Sequence, residues 1–325
     1  MMGKRKIYVL ACGGTIAGKA ASADDLTGYE AGKTSIGELL DAVPAIHDYA
    51  DVKGEQFVNI DSSDMTEALW QALASRVQEV AEREDVDGIV ITHGTDTMEE
   101  TAYYLNLTVH TRKPVVLTGS MRPATAISAD GPLNLLEAVQ AAADAELGDC
   151  GVVIVMNSVI HSARFVEKTD TTHVDTFKAR QLGCLGYMQD GRVRLYQKPL
   201  RQHTFSSDFV SPLTLPAVAV VYAYVGLRAE DVVQLARGKE GLVMAGLGHG
   251  KMPAPVWTAL QPLMKEGLVV VRSARSLGGL VTPVPSYDGT VTADSLTPQK
   301  AKILLQLALC RTKELSEIQA FFDAY

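Results

Sequence analysis

Side chains able to do chemistry follow the ends of several short apolar runs. They are Thr15 in ACGGTIAG, Ser62 and Ser63 in NIDSSDM, Thr95 and Asp96 in THGTDTMEE, Ser120 in TGSMRP, and Lys168 in VEKTDTT. Such a set suits acyl transfer, in which a base takes the proton of a weak hydroxyl nucleophile and nearby donors stabilise the oxyanion. The sequence therefore predicts a hydroxyl-nucleophile site for a small polar substrate, with no metal cluster and no cysteine nucleophile.

Thr15 stands where such a nucleophile is expected. Gly13 and Gly14 precede it, and two glycines let the backbone turn tightly and a ligand approach closely. A phosphate-cradling loop is the rival interpretation, but GGTIAG fits neither GxGxxG nor GxxxxGKS/T. A plain turn at the end of a strand explains the same spacing equally well.

The segments around positions 62 and 95 also allow two interpretations each. Thr95 and Asp96 could belong to a site, or they could cap the helix predicted to follow them. The hydroxyls of Ser62 and Ser63 could bind the carboxylate of an amino acid. The spacing alone does not separate these interpretations.

His93 and Lys168 are two candidate bases. His93 lies beside a predicted strand, where a histidine is more often structural than catalytic. A lone lysine such as Lys168 is normally a solvated surface residue. A lysine drawn into a cleft can instead lose its proton and serve as a base.

The elements that would position these residues alternate between strands and helices. Continuous β-branched runs, typical of strands buried on both faces, stand at Ile7–Leu10, Gly88–Ile91, Val115–Leu117, Val152–Met156, Val218–Tyr222, Leu242–Ala245 and Leu268–Val271. Helical patterns cover Met65–Arg83, Glu99–Val109, Leu133–Glu146 and Pro298–Leu309. The alternation predicts an α/β fold with a mostly parallel sheet flanked by helices. A parallel sheet would bring the four polar junctions to one edge.

Length and composition limit the remaining possibilities. The 325 residues suggest two domains, joined by the polar, aperiodic stretch at 201–216. We predict an N-terminal domain over 1–204 that holds the catalytic residues, then a linker and a smaller α/β domain over 205–325.

The net charge of -8 argues against a general binder of nucleic acid or anionic membranes, and no apolar run reaches membrane-helix length. Four cysteines without CxxC or histidine spacing predict no metal site.

Together the motifs closely resemble those of the bacterial L-asparaginases, most nearly the type II group and its glutaminase-asparaginase relatives. The resemblance runs from KIYVLACGGTIAG to SLTPQKAKILLQLAL and includes HGTDTMEETA, TGSMRP, SADGPLNL and KTDTTHVDTFKA in order. It implies hydrolysis of L-asparagine to L-aspartate and ammonia without a cofactor or metal. It also implies a homotetramer built as a dimer of intimate dimers.

The resemblance further implies catalytic roles. Thr15 matches the nucleophilic threonine of the family. Tyr29, in GYEAGKTSIGEL, matches the tyrosine of a mobile loop that closes over the substrate and supports that threonine. In a second group, Thr95 would position or activate the attacking group, and Lys168 would act on Thr95. Asp96 would hold the substrate amino group.

Substrate contacts follow from the same resemblance, with two departures from the type II pattern. Ser62 matches a ligand of the substrate carboxylate, and Ser120 matches the position whose backbone oxygen receives the side-chain amide. Ser63 stands where type II enzymes usually have Gln or Glu, so it reaches less far toward the substrate amino group. Lys251, in GLGHGKMP, stands where a neighbouring subunit usually supplies Asn, and TPVPSYDGTV lacks the usual Glu. We expect Lys251 to point away from the substrate, or the site to recognise substrate differently.

Three alternatives stay open. A dual glutaminase-asparaginase would accept a second substrate one methylene longer, which a pocket typically discriminates by only about 10–200-fold. An ammonia-supplying subunit of a tRNA amidotransferase would normally carry an extra N-terminal domain. A non-catalytic binding protein could share the fold, but the matched catalytic residues speak against it.

The compartment is predicted from the N-terminus and the cysteines. The apolar stretch Ile7–Cys12 is too short for a signal peptide and runs directly into two glycines. Some secreted relatives carry a disulfide near the positions of Glu82 and Thr111, and neither is a cysteine here. We therefore expect a cytoplasmic protein, or a periplasmic one if a leader peptide has been removed.

Overall fold

The computed structural model describes residues 3–25, 28 and 32–325. The predicted site residue Tyr29 lies outside the described residues. Backbone contacts divide the chain into two units, Met1–Ser211 and Pro212–Tyr325. The predicted domain boundary after residue 204 stays a prediction.

An eight-stranded sheet forms the centre of the first unit. In chain order the strands of this unit are β1 (Arg5–Gly13), β2 (Ala50–Ile60), β3 (Gly88–Thr92), β4 (Val115–Thr118), β5 (Val152–Met156), β6 (Val159–Ser162), β7 (Glu167–Lys168), β8 (Phe177–Lys178), β9 (Gly186–Gln189) and β10 (Arg192–Leu195). The sheet order is β10-β9-β6-β5-β4-β3-β1-β2, while β7 and β8 pair separately. Strands β1 to β5 run parallel, and β6, β9 and β10 extend the sheet in antiparallel fashion.

Helices cover both faces of this sheet. They are α1 (Ile36–Asp41), α2 (Ile46–Tyr49), α3 (Glu67–Glu82), α4 (Met98–Thr108) and α5 (Gly131–Ala142). On one face, alternate residues of β1 such as Val9 and Ala11 pack in one cluster with Leu135 and Val139 of α5. On the other face, α3 contacts β3 and α4 contacts β5. Burial on both faces explains why these strands read as continuous apolar runs.

Local signals set where the helices begin. The Thr66 side chain caps α3 by accepting a hydrogen bond from the Leu69 amide at 3.2 Å. Ser35 and Glu38 form a reciprocal capping box at the start of α1. Both arrangements satisfy amide groups that a helix cannot pair internally. The helix predicted over Leu133–Glu146 is shorter in the structure and is followed by a separate 3₁₀ turn at Ala145–Cys150.

The strand order creates a topological switch point between β1 and β3. From β1 the chain crosses to β2 on one side, and it then returns to β3 on the other side. Crevices beyond the carboxyl ends of such a strand pair are the usual ligand sites of parallel sheets. Thr15 follows β1 and Thr95 follows β3, so the predicted site lies at this point.

The second unit is a smaller α/β structure. Its parallel sheet has the order β11 (Val218–Tyr222), β12 (Gly241–Gly246), β13 (Val269–Ala274) and β14 (Val291–Thr292). Its helices are α6 (Ala229–Ala236), α7 (Ala254–Lys265), α8 (Pro298–Leu309) and α9 (Leu315–Ala324). The predicted α/β class, with a large mostly parallel sheet and a smaller C-terminal sheet, is confirmed. Within the described part of the chain, every helix is too short or too polar to cross a membrane.

Candidate active site

Two glycine backbones lie in contact beyond β1 and β3. A Cβ atom on Gly14, whose φ is 81°, would lie 2.4 Å from the Cα of Gly94. A Cβ on Gly94 would lie 2.6 Å from the Oγ of Ser62. The Gly14 amide also donates to the carbonyl of Ile60 at 2.9 Å. Glycine at both positions therefore brings together the loops that follow β1, β2 and β3.

Thr15 is the first residue of a 3₁₀ turn that directly follows this contact. The turn, Thr15–Ala17, closes with a hydrogen bond from the Gly18 amide to the Thr15 carbonyl at 2.8 Å. The Thr15 side chain is only 6% exposed. These contacts fix the backbone that carries the Thr15 hydroxyl at the switch point.

Lys168 connects the two predicted residues that follow β3. Its Nζ donates to the Oγ1 of Thr95 at 2.9 Å and lies 2.5 Å from the Oδ1 of Asp96. The Lys168 side chain is 16% exposed, whereas the Asp96 side chain is 60% exposed. Lys168 is thus not a solvated surface lysine, and Asp96 presents an accessible carboxylate that a second cation can approach.

The capping interpretation of Thr95 and Asp96 is not what the structure shows. The residue that precedes the first turn of α4 is Thr97, and its side chain makes no capping hydrogen bond. The Thr97 hydroxyl donates instead to the Ser62 carbonyl at 2.8 Å. Thr95 and Asp96 thereby stand clear of the helix and interact with Lys168.

The two adjacent serines face different partners. Ser62 is buried, and its Oγ accepts a hydrogen bond from the Asp96 amide at 3.2 Å. Ser63 is exposed, and its hydroxyl donates to Oδ1 of Asp61 at 2.8 Å. Ser62 therefore belongs to the same cluster as Thr95 and Asp96, whereas Ser63 is engaged with its own turn.

Asp130 fixes the loop that carries Ser120. Its carboxylate accepts hydrogen bonds from the amides of Met121 and Arg122, each at 2.9 Å, and from the side chain of Asn134 at 3.1 Å. Ser120 is fully buried, and its hydroxyl donates to the Arg122 carbonyl at 2.8 Å. The role of Asp130 is not evident from the residue pattern, although SADGPLNL follows TGSMRP closely along the chain.

His93 is a structural residue with both ring nitrogens occupied. Nδ1 lies 2.7 Å from the Gly94 carbonyl, which can only accept, so we assign the proton to Nδ1. Nε2 then accepts from the Thr101 hydroxyl at 3.0 Å, and that hydroxyl accepts from Trp70 Nε1 at 2.9 Å. Burial lowers the pKa of His93 to about 4, so the ring is neutral near pH 7.

Other candidate features lie outside this cluster. Among residues 3–25, 28 and 32–325, no group of three or more His, Cys, Asp or Glu side chains could hold a metal ion. Burial raises the pKa of the Cys12 thiol to about 12, so this cysteine beside the site is not a thiolate. Lys251 is exposed at the end of the turn Gly248–Gly250 in the second unit. Its predicted orientation relative to a substrate stays a prediction.

Both units match known families over most of their length. Residues 6–201 match the family described as "Asparaginase, N-terminal", and residues 217–322 match the "Glutaminase/Asparaginase C-terminal domain". The chain belongs to the asparaginase family of amidohydrolases.

Individual relatives agree with this assignment. L-asparaginase 2 of Escherichia coli is 46% identical over 98% of this chain and 93% of its own length. A glutaminase-asparaginase of Pseudomonas fluorescens is 41% identical over 98% of this chain and 90% of its own. The crystal structure of a probable cytoplasmic L-asparaginase from Campylobacter jejuni has a TM-score of 0.96 and 44% identity, covering 99% of this chain and 100% of that one.

Proposed function

We propose that this chain hydrolyses L-asparagine to L-aspartate and ammonia, with Thr15 as the nucleophile. The observation that carries the proposal is the position of Lys168, whose Nζ contacts Thr95 and Asp96. These two residues follow β3, which pairs with β1, the strand that precedes Thr15. The names of the Escherichia coli and Campylobacter jejuni relatives support the same substrate.

The charges of the substrate match the groups around Thr15. The exposed carboxylate of Asp96 can bind the substrate ammonium. The Ser62 hydroxyl and nearby amides can bind the substrate carboxylate, and the backbone oxygen of Ser120 can receive the side-chain amide. Holding the amide against Thr15 in this way is worth on the order of 7–11 kcal/mol in a well-oriented reaction. In our proposal Tyr29 closes over the bound substrate and supports Thr15.

We infer a two-step reaction. The Thr15 oxygen attacks the side-chain amide carbon, and the C–N bond breaks after the leaving nitrogen takes up a proton. Ammonia departs and leaves an ester between Thr15 and the aspartyl group. Water then attacks this ester, which gives the free carboxylate and returns a proton to Thr15.

Thr95 and Lys168 supply the proton transfers in this scheme. In its neutral amine form, Lys168 Nζ can accept the proton of the Thr95 hydroxyl. Thr95 can then take a proton from the attacking group. A substrate ammonium that binds Asp96 competes with Lys168 for the same carboxylate. Substrate binding therefore weakens the contact between Lys168 Nζ and the Asp96 carboxylate.

Ammonia release by the purified protein tests the proposal directly. L-asparagine should be turned over, and Thr15→Ala should lower kcat by at least about 100-fold, as loss of a nucleophile does. Thr258→Ala, which removes an exposed threonine from α7, is the matched control and should keep normal turnover. A burst of ammonia and a covalent adduct at Thr15 by mass spectrometry are expected. Turnover without either would support direct attack by water instead.

The same assay separates the alternative functions. Turnover of free asparagine without a partner would exclude an ammonia-supplying subunit as the main role. Tight binding of asparagine without ammonia release would identify a binding protein and overturn the proposal.

A dual glutaminase-asparaginase is the second candidate. The name of the Pseudomonas fluorescens relative favours it. The Ser63 hydroxyl also favours it, because this hydroxyl is bonded to Asp61 and so does not select between the shorter and the longer substrate. A kcat/KM ratio of asparagine to glutamine within about tenfold would support this candidate, because one methylene alone can give 10–200-fold discrimination.

We further propose a cytoplasmic homotetramer, a dimer of intimate dimers. The Campylobacter jejuni structure is described as a probable cytoplasmic L-asparaginase, which supports the compartment. Sedimentation equilibrium should give four times the 34.9 kDa chain mass. A monomer, or recovery in the periplasmic fraction of the producing cell, would contradict the respective part of this proposal.

A further inference from the structure

We propose that Glu99 is a positioning residue, which holds the Lys168 backbone so that Nζ reaches Thr95. The inference rests on the proposed role of Lys168 and adds Glu99, which is not among the candidate site residues predicted from the sequence. It concerns geometry at the start of α4 rather than contact with substrate.

The contact is direct and buried. Oε2 of Glu99 accepts a hydrogen bond from the Lys168 amide at 2.5 Å, and Glu99 is only 5% exposed. The bond joins residues that are 69 positions apart in sequence, and it attaches the Lys168 backbone to the segment that its side chain also contacts.

Lys168 needs such a fixed attachment. It lies on β7, a strand of two residues that pairs only with β8 and takes no part in the eight-stranded sheet. An isolated pair of short strands is marginally stable on its own. The main sheet restrains the chain only as far as Val166, whose amide donates to the Ser162 carbonyl at the end of β6 at 3.1 Å.

The start of α4 provides the attachment at Lys168 itself. Thr95 and Asp96 lie just before α4, and Glu99 is the second residue of the helix. The positive end of the helix dipole also favours a carboxylate at this place. Glu99, in the first turn of α4, thus holds the Lys168 backbone. Thr95 and Asp96, which precede α4, contact the Lys168 side chain.

Kinetics of two variants test the proposal. Glu99→Ala removes the acceptor and should lower kcat about 10- to 100-fold, because small displacements at a reacting centre cost that much. KM should change less than about threefold, since Glu99 does not meet substrate. Glu99→Gln retains an acceptor oxygen and should keep kcat within about threefold of the parent protein.

The control and the contradicting results are specific. Glu67→Ala removes a first-turn carboxylate from α3 and should leave kcat unchanged. Circular dichroism and thermal unfolding confirm that each variant is folded. If folded Glu99→Ala keeps its kcat within about twofold, the proposal is wrong. If Glu99→Gln is as impaired as Glu99→Ala, the charge matters rather than the attachment, which also overturns it.

A second readout is independent of amide hydrolysis. An amine-reactive acylating reagent, with its sites mapped by mass spectrometry, should modify Lys168 faster in Glu99→Ala than in the parent protein. An unchanged rate would contradict the positioning role. If the parent protein releases no ammonia at all, the proposed function fails, and the labelling rate still decides whether Glu99 restrains Lys168.

Discussion

The Cα atom of Gly94 occupies the space in which Gly14 would carry a side chain. The distance from an added Cβ to that atom would be 2.4 Å, shorter than any ordinary contact. The loops that follow β1 and β3 meet at this contact, and both carry residues of the proposed site. The arrangement permits a direct test of how far the stability of the protein depends on the close approach of these two backbones.

Gly14→Ala should destabilise the protein by about 3 kcal/mol or more, because a steric overlap adds to the cost of a positive φ. Gly238→Ala is the matched control, since its φ of 70° is similar and nothing lies within 4 Å of an added Cβ. It should cost only about 1 kcal/mol. Urea unfolding of both variants measures the difference. Equal losses would show that backbone strain alone accounts for the glycine.

Lys168→Arg should lower kcat by about 10²- to 10⁴-fold, with a smaller effect on KM. Arginine can keep a charge beside Asp96, but it does not release its proton near neutral pH, so it cannot exchange one with Thr95. Lys178→Arg, at the exposed end of β8, is the control and should leave steady-state kinetics unchanged. Full activity of Lys168→Arg would show that only the positive charge is needed.

His93 should make the protein less stable in mild acid. Burial lowers the His93 pKa from 6.5 to about 4 in the folded chain. Between these values the unfolded chain binds a proton that the folded chain excludes, so the stability contributed by His93 is complete above pH 6.5 and falls as pH drops toward 4. The total loss is about 3 kcal/mol.

Urea unfolding of His93→Gln across this range checks the prediction, because the variant lacks the titrating ring. Its stability should fall less between neutral and acid pH than that of the parent protein. His47→Gln, at an exposed histidine of α2, should follow the parent curve. Parallel curves for His93→Gln and the parent protein would contradict the assigned burial effect.

Asp130→Asn should reduce kcat/KM for asparagine about tenfold and stability by about 1–3 kcal/mol. The substitution replaces one of the two oxygens that hold the Met121 and Arg122 amides, so the Ser120 carbonyl loses its fixed direction. Asp144→Asn is the control, because Asp144 also accepts a backbone amide, that of Glu146 at 3.0 Å, away from this loop. Steady-state kinetics of both variants should show a loss only at Asp130.

The sequence predicts the parallel core of the fold well, because strands buried on both faces are uniformly apolar. All seven predicted apolar runs lie within or overlap strands, and the predicted helix Pro298–Leu309 has these same bounds in the structure. β2 is absent from those runs although it is an eleven-residue strand. It lies at the sheet edge, and charged residues such as Asp51, Lys53 and Glu55 interrupt its apolar sequence. Charged side chains are common on edge strands.

The candidate site is predictable only in part, for a related physical reason. Polar residues after parallel strands meet at a sheet edge, and here the Ser62 hydroxyl lies within hydrogen-bond distance of the Asp96 amide. Glu99 and Asp130 instead act through backbone amides. Every residue except proline has a backbone amide, so the sequence does not show which amide a given carboxylate will bind. Such a contact can be recognised only in the folded structure.

The order of the strands along the chain has a consequence for biosynthesis. β1 to β4 are neighbours in the sheet and are all translated before residue 119, so they can pair while later residues are still within the ribosome. The nascent chain can thus assemble the loops that carry Thr15, Ser62 and Thr95 early. Lys168 emerges afterwards on its separate hairpin. The contacts of Lys168 with Thr95 and Asp96 can therefore form only after the segment that carries β7 has been synthesised.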